Sequence, residues 1–525
     1  MRSSVYCRGA NKLRADRGSM AWRLVLALVA LAIAVNAPAA AAPQGQLTIG
    51  VHISLAPTWF DPAETSGIIT PYMILYAMHD AMVKPMPDGN STPSLAESWA
   101  VSEDGRVYEF ALREGTRFHN GEPVTADDVK FSFERYRGAA HAMMHDRVAA
   151  VEIPDARHVR FILKEPWPDF LTFYANATGS GWIVPKAYLG KVGDDGFKRA
   201  PIGAGPYKFV SFIPGVELVI EAFEPYWRKT PGIKRIVFKV IPDEATRLVA
   251  LKRGEVDVAF SIRGELAKEV GQTPGLALKP TSAGPFWLYF PGQWDPKSPW
   301  HDVRVRRAAR LAIDYNTINQ ALTLGHSQIT GSIIPKSFDY YWAPPPPVFD
   351  PAQAKLLLAE AGYPDGFDAG SYTCDVAYAN LGEAVLNNLT AVGIRAKLRP
   401  LERAAFFKGY SDKKFTDIVQ AASGAFGNAA TRLEAFVVKG GTYAYGSYPE
   451  IDALFPSQAN EMDREKRAKI LHEMQRLVNE RTMYVPIWQL AFLSAVGPRV
   501  DDLRFSAIKG FVYPAPYEDM TLKGK

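Results

Sequence analysis

His141-Ala-Met-Met-His145 is the pair best spaced for metal chemistry in this sequence. On a helix, residues i and i+4 share a face, so both imidazoles would point the same way. Spacing names no third ligand, and a surface segment between a helix and a strand is the plainer reading. Carboxylates are numerous, but no pair is set apart by spacing as glycoside hydrolysis would require. The chain contains no Gly-x-Ser-x-Gly elbow, no P-loop, no His-Glu-x-x-His and no paired cysteine ligands. Gly203-Ala-Gly205 runs into Pro206 rather than into a helix, so it is a turn and not a phosphate cradle. No enzymatic activity, no resident metal and no cofactor are therefore expected.

Charge and export signals narrow the field further. Arg23 is followed by the apolar run Leu24–Val35 and then by Asn36-Ala37-Pro38-Ala39-Ala40-Ala41-Ala42. A charged start, an apolar middle and small residues at the end are the marks of a secretory signal. The run is too short to span a bilayer, which takes roughly twenty residues. Cleavage is expected after Ala41, with Met20 a possible true start and residues 1–42 a signal peptide with an extension. No cysteine stands at the cleavage point, so a lipid anchor is not expected. Residues 1–41 hold six of the 60 Lys and Arg and one of the 55 Asp and Glu, so the remainder carries 54 of each sign. The formal charge of +5 thus belongs to the leader, and nothing resembles the basic footprint of a nucleic-acid binder. Cys7 leaves with the leader. Cys374 then has no partner and is expected to be buried and inert.

The elements that would carry a site alternate between strand and helix. Leu47–Ile53 reads as a first strand, and Val107–Arg113 alternates with the period of two of a half-buried strand. Thr125–Arg135 reads as a helix capped by Thr125. Strands are expected at His158–Leu163, Tyr207–Phe212, Val216–Ala222 and Lys234–Ile241. A helix is expected to open at Pro242 and end at Gly254. Asp302–Gly325 reads as one long helical stretch, Ala343–Val348 as a stiff connector, and Asp350-Pro351 as the start of a helix reaching Gly362. Arg395–Leu401, Phe415–Ala421 and Tyr484–Trp488 read as strands. Ile470, Leu471, Met474, Leu477 and Val478 form one helical stripe that should pack on a sheet. This mixture argues for α/β lobes rather than a sandwich or a bundle.

Ser94-Leu-Ala-Glu-Ser-Trp99, Leu112-Arg-Glu-Gly-Thr-Arg-Phe-His-Asn-Gly121 and Thr125-Ala-Asp-Asp-Val-Lys-Phe-Ser132 resemble the extracellular solute-binding proteins of family 5. These are the periplasmic dipeptide-, oligopeptide- and nickel-binding proteins of ABC importers. Pro201-Ile-Gly-Ala-Gly-Pro-Tyr-Lys-Phe209, Pro225-Tyr-Trp227, Ile241-Pro-Asp-Glu-Ala-Thr-Arg247, Gly254-Glu-Val-Asp-Val258 and Asp302-Val-Arg-Val-Arg306 continue the likeness in the same order. The resemblance implies an α/β, two-lobed periplasmic binding protein that closes about a hinge and carries an extra third domain. The first lobe would comprise residues 43–72, 200–282 and 484–525, the extra domain 73–199 and the second lobe 283–483. The hinge would be crossed near Pro280–Tyr289 and Met483–Gln489. Trp99, Phe118 and Tyr207, within the motifs, are expected in the core.

The same resemblance implies a monomer that captures a small-molecule or peptide ligand and hands it to inner-membrane ABC permease subunits. Dipeptide-binding relatives hold the ligand ammonium with an Asp in a loop after a strand; the matching residue here is Ala425. Their carboxylate-binding Arg has no counterpart near Ala379-Asn380-Leu381. A buried ammonium without a counter-charge costs several kcal/mol, which disfavours free dipeptides. Longer peptides, opines, glycosides and metal complexes stay open, and a periplasmic chaperone or sensor is the alternative role. Position relative to the expected cleft selects Trp59, Phe60, Trp287, Tyr289, Phe426, Asn428, Trp488 and Gln489 as ligand-binding candidates, with Arg432 a lesser one for an anionic group.

Overall fold

The computed structural model describes residues 42–65, 69–138, 140–424 and 426–524. The expected signal, its cleavage point, Cys7 and Ala425 lie outside the described residues. No helix among the described residues is long and apolar enough to cross a membrane.

An eleven-stranded sheet organises the molecule. One end is built by Tyr207–Ile213, Glu217–Ala222, Ile233–Val240, Gln44–Val51 and Val258–Ala259, in that order across the sheet. The other end is built by Ile418–Ala422, Phe367–Asp375 and Ile394–Leu401. Between them lie two long antiparallel strands, Tyr484–Val496 and Ala277–Tyr289, paired from Ala277 opposite Val496 to Tyr289 opposite Tyr484. Gln328–Ile329 adds a short pairing onto the first of these. Every residue of Tyr484–Val496 is buried, as a strand covered on both faces must be. The pairing slips between Ser282 and Pro285, in the segment Ser-Ala-Gly-Pro, where the two ends of the sheet meet.

A separate four-stranded antiparallel sheet runs Ala96–Val101, Val107–Leu112, His158–Leu163, Val148–Asp155. Its own aromatic core centres on Phe161, whose ring lies 4.8–5.8 Å from those of Phe110, Phe133, Phe170 and Tyr174. Val107–Leu112 alternates between buried and half-buried residues, as its sequence pattern predicts. Helix Ala126–Glu134 begins after Thr125, whose backbone N–H donates to the Asp128 carboxylate at 2.9 Å. Phe118 and Tyr207 are buried, and Trp99 is half-buried against the core.

Several boundaries differ from the sequence reading, two of them through a cap. The helix expected from Pro242 begins at Glu244, because the Asp243 carboxylate accepts from the Thr246 N–H and ends the preceding strand. The long stretch 302–325 is two helices, Val303–Leu311 and Tyr315–Thr323. Asp314 breaks it by accepting from the Thr317 N–H. The last expected strand, Tyr484–Trp488, continues to Val496. Helix Pro351–Glu360 starts where Asp350 caps it. The stripe on Arg464–Glu480 packs through Leu471 and Met474 into the core that also holds Trp287, Tyr289 and Tyr484. Cys374 is fully buried, and burial pushes its thiol pKa up to about 12, which makes it inert.

Candidate functional site

Ligands of open α/β sheets bind outside the carboxyl ends of parallel strands. Phe367–Asp375, Ile394–Leu401 and Ile418–Ala422 are parallel to one another, so their carboxyl ends share one edge. Three polar features emerge there: Asp375 as the last residue of its strand, Arg403 just beyond the second, and the loop 423–428 beyond the third. Gly284, at the slip in the long strand, faces this loop so closely that a Cβ would stand 1.8 Å from the Ser423 carbonyl oxygen. Only glycine fits such an approach of two backbones.

Three cavities meet around the loop. One of about 420 Å³ is lined by Gln328, Lys336, Phe338, Phe426, Gln489 and Lys509, among others. A narrow one of about 40 Å³ shares Gly284 and Gly424 with it and is walled by Phe286, Asp375, Tyr378, Arg403, Gln420 and Phe492. A third of about 530 Å³ shares Phe426 with the first and opens toward Tyr136, Met143, Phe173, Glu434 and Tyr443. Together they suit a small organic ligand, whose pockets run to several hundred Å³.

The charged groups are held by contacts between segments far apart in the sequence. Arg403 donates from Nη1 to Asp375 at 2.6 Å and from Nη2 to the Thr70 hydroxyl at 2.9 Å. Burial opposes its charge, and the Asp375 carboxylate more than offsets that. Arg263 donates to Glu244 at 2.9 Å and across to the Ala377 carbonyl at 2.8 Å. His52, just beyond strand Gln44–Val51, is buried beside Phe260, Tyr378 and Phe492. Neither of its ring nitrogens has a partner among the described residues. Burial, then Arg247, Arg403 and Arg263, hold its pKa well below the usual histidine value, so it is neutral. Arg247 donates to the carbonyls of Phe260, Ile241, Pro242 and Ser261, which ties it to the framework. Deeper in the cleft Asn428 donates to Asp169 at 2.6 Å, and Arg467 pairs with the same carboxylate.

Of the residues selected from sequence, Phe426 and Gln489 line the cavity of about 420 Å³. Asn428 sits beside it, capping helix Ala429–Phe436 and holding Asp169. The others lie elsewhere. Phe60 is fully buried, edge-on to Phe212 at 4.9 Å, and Trp59 packs on the same core. Trp287, Tyr289 and Trp488 are buried in the sheet's cores; the Tyr289 ring stacks on Tyr484 at 5.1 Å. Neighbouring side chains within a strand point to opposite faces, so Gln489 lines the 420 Å³ cavity while Trp488 turns into the core. Phe286 is paired with Trp488 and shares its face, where it walls the narrow cavity, and Trp287 points to the other side. Arg432 is buried rather than solvated, with the rings of Phe338 and Phe436 about 5.5 Å from its guanidinium. Burial lowers its pKa to about 9. The imidazoles of His141 and His145 lie 4.4 Å apart by ring centroid, with His145 stacked on Phe133. Among the described residues no group of three or more metal-ligating side chains surrounds a common point.

Sequence reasoning passed over Asp375, Arg403, His52, Asp169 and Arg467. The available signal was position for His52 and Arg403, which stand at or just beyond the carboxyl end of an expected strand; the strand that Asp375 ends was not expected.

Comparison with known proteins agrees with this geometry. The family model for bacterial extracellular solute-binding proteins, family 5 Middle, matches residues 90–444. Heme-binding protein A of Haemophilus influenzae is 26% identical over 452 residues, covering 78% of this chain and 80% of that protein. The probable di/tripeptide-binding protein 5 of Pseudomonas aeruginosa is 28% identical over 480 residues, covering 85% and 91%. Among solved structures, the periplasmic binding protein AgaA of A. tumefaciens R10 in complex with agropinic acid superposes with a TM-score of 0.78 at 25% identity, covering 92% of this chain and 99% of that one. NikA of Brucella suis in complex with Fe(III)-EDTA gives 0.76 at 22% identity, covering 91% and 100%.

Proposed function

The chain belongs to the bacterial extracellular solute-binding proteins of family 5, and from that membership we propose how its cleft serves transport. It is the substrate-binding component of an ABC importer, holding a peptide-like or other small polar organic solute between its lobes. In our reading the lobes comprise residues 43–72, 200–282 and 484–525 on one side and 283–483 on the other, with 73–199 as the extra domain. The two long strands, with their slip at Ser282–Pro285, form the hinge. The leader is removed after Ala41, and the monomer works in the periplasm.

Closure is the working step. A ligand shifts the open and closed populations only by its preference for the closed state. The contacts that cross the cleft, Arg403 to Thr70 and Arg263 to Ala377, are made when the lobes are together. The closed form is what the permease subunits receive, and ATP is hydrolysed elsewhere. The single observation carrying this reading is a group of adjoining, mainly apolar cavities with a few convergent polar groups at the strands' carboxyl ends, bridged by hydrogen bonds from both lobes. Cargo of the kinds named for the relatives, from di- and tripeptides to agropinic acid, falls within its size.

The test is native mass spectrometry of the full chain isolated from periplasm, followed by release and rebinding. One small molecule per chain, recovered chemically unchanged after rebinding, is the expected result. Conversion of that molecule to a product would overturn the reading in favour of an enzyme.

A further inference from the structure

This inference rests on the binding-protein reading and concerns the charge of the cargo. One cavity is not balanced in sign, whereas the 530 Å³ one sets Arg432 and Lys439 against Glu434 and Asp452. The 420 Å³ cavity is lined by Lys336 and Lys509, and no carboxylate stands among its described lining residues. Neither lysine forms an ion pair among the described residues, and both are exposed. The remaining polar groups there, such as Ser282, Gln328 and Gln489, are neutral. Nothing in that space would compensate a cation, and two ammonium groups favour an anion.

The narrow cavity points the same way. Its charged lining is Asp375 and Arg403. Asp375 is already engaged, accepting from Arg403 at 2.6 Å and from the Ala377 N–H at 3.0 Å. Arg403 is not fully engaged. Its Nε–H has no hydrogen-bond partner among the described residues, and apart from Asp375 the groups it meets, the Thr70 and Tyr378 hydroxyls and the Phe407 ring, are neutral. Hydrogen bonds to an ionised acceptor are roughly twice as strong as neutral ones, and a guanidinium edge fits a carboxylate with two parallel bonds. About 40 Å³ is room for roughly three waters at 10–15 Å³ each, so this branch takes an acid group and not the body of a ligand.

We infer that the cargo is a small organic anion. One carboxylate lies against the Nε edge of Arg403 in the narrow branch. The body fills the larger cavity, where Lys336 and Lys509 favour further negative charge.

The experiment exposes the ligand-stripped full chain to the small-molecule fraction of a bacterial culture extract and identifies what is retained by native mass spectrometry. A one-to-one anion is the expected result. A retained neutral or cationic molecule would overturn this inference and leave the binding-protein reading standing. Retention of nothing, from the extract and from periplasm alike, would overturn both. Titration calorimetry with the retained anion then tests the residues. Arg403→Gln should weaken binding at least tenfold. The double variant Lys336→Gln/Lys509→Gln, on exposed side chains that bear no load in folding, should weaken it several-fold and flatten its dependence on salt. Unchanged affinity in both variants would sink the assignment.

Discussion

The carboxylate of Asp169, beside the four-stranded sheet, meets the guanidinium of Arg467, in helix Arg464–Glu480, and both are buried. Asn428 completes the arrangement by donating to the other oxygen of Asp169. Arg467 is held from its own side by Gln458. Asp169 thus enters a socket prepared by Asn428, Gln458 and Arg467.

Asp169→Asn should therefore act on closure. Breaking a buried pair by removing one partner costs about 3 kcal/mol, which corresponds to roughly a hundredfold in affinity. Because Arg467 can regain water when the lobes part, the loss should fall on ligand binding and spare the ligand-free melting temperature. Calorimetry beside thermal melts separates the two. An equal fall in both would show that the pair holds the fold and not the closed state.

Glu434 predicts a dependence on pH. Burial raises its pKa to about 7, against the pull of Arg147 at 3.1 Å, while Asp169 adds to the rise and Arg467 opposes it. A carboxyl whose pKa is raised in the closed protein binds its proton more tightly there than in water. Stability of the closed form is then greatest below the ordinary carboxylate range and declines as pH rises from about 4.5 toward 7. Glu434→Gln should remove that decline, read as affinity measured from pH 5 to 8. A profile identical to that of the parent protein would assign the dependence to another group.

Two buried histidines pull the other way. Desolvation holds His79 at about 4 and His52 well below 6.5. Both stay neutral in the fold but take up protons when unfolded, below about 6.5. Their contribution is complete above that value and is lost on acidification, by up to about 1.4 kcal/mol per pH unit for each group. Denaturant melts at pH 7.5 and 5.5 should show the fall, and His52→Gln should reduce it. No change in slope with the variant would mean that His52 is not buried neutral.

How much of this was legible beforehand follows from the same residues. Period-two patterns and caps were readable because they are local: Val107–Leu112 and the Asp350 cap need only their neighbours. The break at Asp314 was missed because its flanks both have helical character, and only the cap decides between one helix and two. Position along the chain placed the loop 423–428 and the hinge strands at the site. It did not say which face of each strand looks into the cleft, since a shift of one residue reverses the answer. Asp375 and Arg403 were invisible as a pair because 28 positions separate them and only strand pairing unites them.

Gly284 is where backbone geometry itself limits the site. Its α-carbon is pressed against the loop so closely that an added methyl would overlap the Ser423 carbonyl. Gly284→Ala must push the loop and the long strand apart, at a cost of about 1–3 kcal/mol as for other overpacked sites. The narrow branch walled by both should distort, and cargo affinity should fall with the melting temperature. Gly271→Ala, with nothing within 4 Å of the added carbon and an α-helical position, is the matched control and should be neutral or slightly stabilising. Equal behaviour of the two variants in melts would refute the close approach.

The adjacent residues Trp488 and Gln489 give the sharpest separation of fold from function. Trp488 is fully buried in the central core, paired in register with Phe286 and Ile329. Gln489 is its immediate neighbour yet lines the cavity of about 420 Å³. Trp488→Ala should cost about 3–5 kcal/mol of stability, the usual price of a large aromatic removed from a core. Gln489→Ala removes a hydrogen-bonding group from the cavity wall and leaves the core intact. Its melting temperature without cargo should match the parent's, while affinity for the retained solute should fall by about tenfold or less, the worth of one hydrogen bond. Urea melts and calorimetry on both variants settle the matter. A stable Trp488→Ala protein that no longer binds would reverse the assignment of faces and put the tryptophan in the cleft.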